Sequence, residues 1–156
     1  MLLNIQSALA HVQCLGPRSH GDRQYHQPIF RRSVSILIVD ESQDQAEMFA
    51  TLLNIYGHDV VSVYTGPDAL SISRHRSFEV IYICSSSNDI APFDLVEKLK
   101  KLRHLRNTFF VALSGHMGLT YRTTALNVGF NYVVVRPAGI GDICAPVIDK
   151  ASNFSK

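Results

Sequence analysis

The chain has 156 residues, 46% hydrophobic and 18% charged, the balance of one globular domain with a real core, and no apolar run reaches the about 18 residues of a membrane span. Its three cysteines, Cys14, Cys84 and Cys144, are too scattered for a disulfide framework or a zinc pair, so a reducing cytoplasm is the expected setting. The formal net charge of +2 is uneven: residues 1–33 carry Arg18, Arg23, Arg31 and Arg32 against Asp22, and the rest is near neutral, a poor match for nucleic acid.

Met1 to Val12 could form a short apolar-faced helix, which Gly16-Pro17 would end. No positive charge precedes the apolar stretch, as a secretory signal requires. The arginine-rich composition is shared with transit peptides, but residues 1–33 read more simply as a poorly ordered leader. Residues 34–156 are then the folded domain.

From there strands and helices alternate. "SVSILIV" (Ser33–Val39) is apolar and β-branched on both faces, as a strand inside a parallel sheet should be. In "DQAEMFATLLNIYGH", Ala46, Phe49, Leu52, Leu53 and Tyr56 recur at helical spacing, and Gly57 is a natural stop. "HDVVSVY" is a second strand, and Thr65-Gly66-Pro67 opens a short helix with Ala69, Leu70 and Ile72 inward. "EVIYIC" is the third strand. After a loop from Asp89 to Phe93, "PFDLVEKLKKLRHL" predicts one amphipathic helix with Phe93, Val96, Leu99 and Leu102 inward. "TFFVALS" is the fourth strand, "LTYRTTALNVG" a weaker helix closed by Gly129, and "NYVVV" the fifth strand. A final helix in "GIGDICAPVIDKASNF" is expected to be short or irregular because of Gly139, Gly141 and Pro146.

Repeated strand–helix pairs call for a parallel sheet covered on both faces, and right-handed crossovers leave the doubly wound order 2-1-3-4-5. The ligand crevice of such a sheet lies beyond the carboxyl ends of strands 1 and 3. There the sequence places Asp40, Glu41 and Cys84, with Ser114 ending strand 4 and Arg136 ending strand 5.

Those residues, with the segments "ILIVDE" (36–41), "TGPDAL" (65–70), "FEVIYIC" (78–84), "VALSG" (111–115) and "ALNVGFNYVVVRPA" (125–138), resemble a response-regulator receiver domain of two-component signalling. The resemblance covers about Ser33 to Ser152 and implies a flavodoxin-like fold. It makes Asp40 and Glu41 a residual, weak Mg²⁺ pair, and Ser114 the hydroxyl that would bond a phosphate. Arg136, before Pro137, stands for the family's lysine. Cys84 takes the position of the phospho-accepting aspartate, so aspartyl phosphorylation is not expected. Asn88 and Pro92 replace the proline and glycine usual after that aspartate, and Val133, beside Tyr132, occupies the usual place of a switching aromatic.

The resemblance therefore implies a degenerate, stand-alone pseudo-receiver that is not an enzyme, requires no cofactor and acts by binding in a phosphorelay. Its partners would be a histidine kinase, a phosphotransfer protein or another receiver, with neither nucleic acid nor membrane involved. His116, Tyr121, Arg122, Tyr132 and Val133, together with Asn127, would supply the partner face. An Arg136–Asp40 or Arg136–Glu41 ion pair would imitate the charge balance of the phosphorylated site. The rival reading is thiol chemistry at Cys84, as a redox switch or a nucleophile. Asp89 is too far along the loop to stand in for the missing carboxylate. The run "KLKKLRHLR" (98–106) reads as core leucines with a solvated basic face.

Overall fold

A computed structural model describes residues 32–84, 89–115 and 118–153. The proposed leader up to Arg31, with Cys14 in it, and also Asn88 and His116, lie outside the described residues. The elements in order are β1 (Ser35–Val39), α1 (Gln43–Ile55), β2 (Asp59–Val63), α2 (Gly66–His75), β3 (Val80–Cys84), α3 (Pro92–Lys100), a 3-10 turn (Arg103–Leu105), β4 (Phe109–Ser114), α4 (Leu119–Val128), β5 (Tyr132–Val135) and α5 (Ile140–Ser152). The strands are all parallel, in the order β2-β1-β3-β4-β5.

Strand side chains alternate between two cores. Ile36, Ile38, Tyr82, Val111 and Leu113 face α1 and α5, meeting Ala46, Leu53, Ile143 and Val147. Leu37, Ile81, Ile83, Phe110 and Ala112 face α2, α3 and α4, meeting Ala69, Leu95, Leu99 and Ala125. Burying each large aliphatic side chain contributes about 1.5–3 kcal/mol. That is why the central strands β1, β3 and β4, apolar on both sides, define the fold.

Two helices differ from the sequence expectation. The helix over 92–105 is broken: α3 ends at Lys100, Leu102 is extended (φ −73°, ψ 116°), and a 3-10 turn follows. The break lets Leu105 turn fully into the core, whereas Leu102 is only half-buried, and Leu95 is an inward residue the pattern missed. The final helix is not short: α5 runs 13 residues through Pro146. Proline there forfeits one intrahelical bond. Burial of Ile140, Ile143, Cys144, Pro146 and Val147 along one side offsets the loss, and the Asp142 carboxylate accepts from Gly139 N at 3.0 Å to fix the start. Gly129 closes α4 at φ +124°, a backbone conformation that residues with a Cβ rarely adopt.

Candidate functional site at the carboxyl end of the sheet

In a parallel sheet all carboxyl ends lie along one edge, so the groups after β1, β3, β4 and β5 converge there. Backbone bonds set the anchor points: Asp40 N donates to Val63 O at 3.1 Å, and Arg136 N donates to Ser114 O at 2.7 Å. Cys84 is the last residue of β3, paired with Leu113 of β4. Asp40 (1% exposed), Cys84 (3%) and Ser114 (0%) are buried, while Glu41 is exposed at the rim. The Asp40 carboxylate has a structural duty, accepting at 3.0 Å from the N–H of Ser42, the residue that precedes α1.

Arg136 joins this cluster. Its Nη2 donates to Asp40 Oδ2 at 3.0 Å and to Cys84 Sγ at 2.6 Å, and its Nη1 donates to Gln45 Oε1. Only 20% of the arginine side chain is exposed. One guanidinium therefore answers a carboxylate, a thiol and an amide oxygen, drawn from the loop after β1, from β3 and from α1. Asp40 supplies the carboxylate that faces its charge. The peptide bond between Arg136 and Pro137 is cis.

The sequence reading anticipated the Arg136–Asp40 pair as one of two alternatives, and Asp40 is the partner. It missed Gln45. The signal was there, because Gln45 sits in the first turn of the helix that follows the Asp40 loop, next to the strand ends. Asp89 stays with a different element, its Oδ2 accepting from Gly66 N at 3.0 Å at the start of α2.

The proposed partner face divides. Arg122 and Asn127 are exposed. Tyr121 instead turns inward, its ring 5.5 Å from that of Phe93. Val133 is half-buried against the core of α2, α3 and α4. Tyr132 lies on the opposite side of the sheet, donating its hydroxyl to Asp149, and its phenol is pushed up to about 12 by burial and then by that carboxylate. Tyr132 and Val133 thus point to opposite faces of the sheet, as neighbours on a strand must. The second buried thiol, Cys144, is pushed up to about 12 by burial alone. Among the described residues no helix is long and apolar enough to cross a membrane.

The sequence pattern of the Response regulator receiver domain family matches residues 36–148. A curated relative, the probable transcriptional regulator ycf27 of Porphyridium aerugineum, is 25% identical over 124 residues, covering 76% of this chain and 50% of that protein. The chain thus spans about half the length of that relative. Among solved structures, the receiver domain of the Francisella response regulator 1452 superposes with a TM-score of 0.72 at 20% identity, covering 79% of this chain and 100% of that one. The chemotaxis response regulator CheY4 of Vibrio cholerae gives 0.71 at 18% identity (76% and 99%). A CheY-like receiver domain from Methylobacillus flagellatus gives 0.67 at 27% identity (77% and 99%). With the family pattern, the parallel order β2-β1-β3-β4-β5 and the clustered strand ends in agreement, the chain belongs to the response-regulator receiver family.

Proposed function

We propose that this receiver is a pseudo-receiver, working in two-component signalling through protein contacts and not through an aspartyl phosphate. The observation that carries the reading is the Arg136 guanidinium bonded to both Asp40 and Cys84. Receivers are signalling modules that meet histidine kinases and phosphotransfer proteins. Here Cys84 stands where the family's aspartate receives the phosphoryl group, and Arg136 stands where its lysine would neutralise that group. The internal ion pair takes over that neutralisation and favours a single conformation of the site.

Mg²⁺, which the family's chemistry uses, fits these donors poorly. A thiol is a soft ligand for a hard cation that prefers oxygen. Asp40 Oδ2 is already engaged by a guanidinium, and among the described residues no group of three or more His, Cys, Asp or Glu is arranged to hold a metal. Asp40 and Glu41 are accordingly a weak residual pair at most.

Intact mass after incubation with Mg²⁺ and a small phosphodonor tests the reading. The native chain is expected to gain no phosphate, while Cys84→Asp combined with Arg136→Lys is expected to gain one. A phosphate on the native chain that Cys84→Ser abolishes would overturn it. The contact between the sulfur and the guanidinium supports a second reading, thiol chemistry at Cys84. Rapid alkylation of Cys84 in the folded chain would favour that rival, against the slow reaction expected for a side chain 3% exposed.

A further inference from the structure

The two helical layers carry opposite charge. From Val34 to Ser73 the chain contains Asp40, Glu41, Asp44, Glu47, Asp59 and Asp68 but no lysine or arginine. On the layer formed by α1 and α5, Asp44, Glu47, Asp142 and Asp149 are exposed, and the one cation of these helices, Lys150, is buried at 6%. The other layer carries exposed carboxylates of its own, Asp68 on α2 and Asp94 and Glu97 on α3, but is basic at the end where α2 and α3 finish. Neither 69–78 nor 98–108 contains an acidic residue. The fold brings these segments together, with His104 Nε2 within 2.6 Å of Ser73 O. Arg74, Lys98, Lys100, Lys101, Arg103 and Arg106 are all exposed there, and none forms a salt bridge among the described residues.

A second observation concerns the apolar residues of the acidic layer, while Leu119 (82%) and Leu126 (43%) are exposed on α4 of the other layer. The acidic layer exposes three large apolar side chains, Met48 (51%) and Ile55 (51%) on α1 and Ile148 (39%) on α5. Met48 and Ile55 are seven residues apart and so share one helical stripe. Lysine and arginine carry long aliphatic stems that cover apolar surface while their charged heads reach carboxylates. Methionine and isoleucine flanked by acids are therefore the complement of a lysine- and arginine-rich surface in both charge and shape.

We propose that copies of this chain associate head to tail, the acidic α1/α5 layer of one copy seating on the basic α2/α3 end of the next. The two surfaces differ and lie on opposite sides of the sheet, so the contact is heterologous and leaves a free surface of each kind at the ends of the assembly. It does not depend on the state of Cys84. Double-stranded nucleic acid is a weaker occupant, because the acidic layer opposes its field. Single strands would want stacking platforms, and the exposed large hydrophobic residues include no aromatic ring.

Sedimentation velocity of the nuclease-treated full chain, over a concentration series, tests the proposal. At about 0.01 M salt the weight-average sedimentation coefficient should rise with concentration, and at about 1 M salt it should return to the monomer value. Lys98→Glu with Lys101→Glu and Arg103→Glu should weaken association about tenfold, since several exposed charge pairs, each a small contribution, are lost together. Asp44→Lys with Glu47→Lys should do the same. All these positions are exposed, and a thermal melt checks that each variant folds. Mixing the two variants is the decisive arm: together they should associate more strongly than either does alone, because the native acidic layer of one meets the native basic end of the other and the two reversed surfaces are again of opposite sign. A chain monomeric at low salt at every concentration would overturn the proposal. So would association untouched by both sets of reversals, association that nuclease abolishes, or variants that do not pair on mixing.

Discussion

The two ends of the sheet both bury charged side chains, and they use them differently. At the amino end the polar groups are stitched to backbone. The Glu79 carboxylate accepts from Ser35 N at 3.1 Å and pairs with Arg32 at 2.7 Å, while Ser35 Oγ accepts from Glu79 N at 3.2 Å. His58 Nδ1 accepts from Val34 N at 3.3 Å, Thr108 donates to Phe78 O at 2.6 Å, and Lys150 donates to Asn107 O. Each of these fixes where a strand begins. At the carboxyl end, side chains bond mainly to one another, through Arg136. Side chains tied to backbone report architecture. A cluster that one residue holds together can be dissolved by changing that residue.

The largest expected effect follows from that contrast. Arg136→Ala strands a carboxylate that is 1% exposed, and breaking a buried pair on one side costs roughly 3–5 kcal/mol. Urea unfolding should show a loss near the lower end of that range, because the arginine is itself partly exposed. Glu79→Ala at the other end should cost less, about 1–2 kcal/mol, since its side chain is 27% exposed and water replaces part of what is lost. Equal losses would erase the distinction between the two ends.

Acid should weaken the amino end first. Burial, and then the neighbouring Arg32, hold the His58 imidazole below its ordinary value of 6.5, with Glu79 pulling the other way. The unfolded chain then binds the proton more readily than the fold does, so stability falls as the pH drops below about 6.5. Glu79 adds to the loss at lower pH. Burial alone would raise its carboxyl, but the Arg32 and Ser35 bonds and the Arg32 and Lys150 charges outweigh this and lower it from 4.5. Its stabilisation is complete above the unfolded value and is lost as the pH falls through the lower folded one. Denaturation midpoints measured from about pH 8 to about pH 5 should decline for the native chain and stay nearly flat for His58→Gln. An equal decline in the variant would move the titrating group elsewhere.

Thiol labelling gives a smaller, sharper comparison. Cys144, raised to about 12 by burial, should stay unlabelled until the chain unfolds, whereas Arg136→Ala should speed labelling of Cys84 severalfold by opening its side of the cluster. The smallest effect is expected at Arg122, exposed on α4, where Arg122→Ala should shift stability by less than about 0.5 kcal/mol. A larger shift would mean that this surface is already engaged.

The sequence by itself determined the strands and their order, because side chains apolar on both faces of a strand have only the middle of a covered parallel sheet to occupy. It also brought Asp40, Cys84, Ser114 and Arg136 to one edge, since strand ends and topology are local and combinatorial properties. The tertiary structure decided the rest. It set the break in α3, because turning Leu105 inward is a packing gain that no window of helical spacing reports. It set the full length of α5, because burial along one side outweighs the bond missing at Pro146. It chose Asp40 over Glu41 for Arg136 and brought in Gln45, because a guanidinium 96 positions from one partner and 91 from another finds them only after the sheet has formed. It also gathered two acid-free segments into one basic surface, through contacts that link residues far apart in the chain.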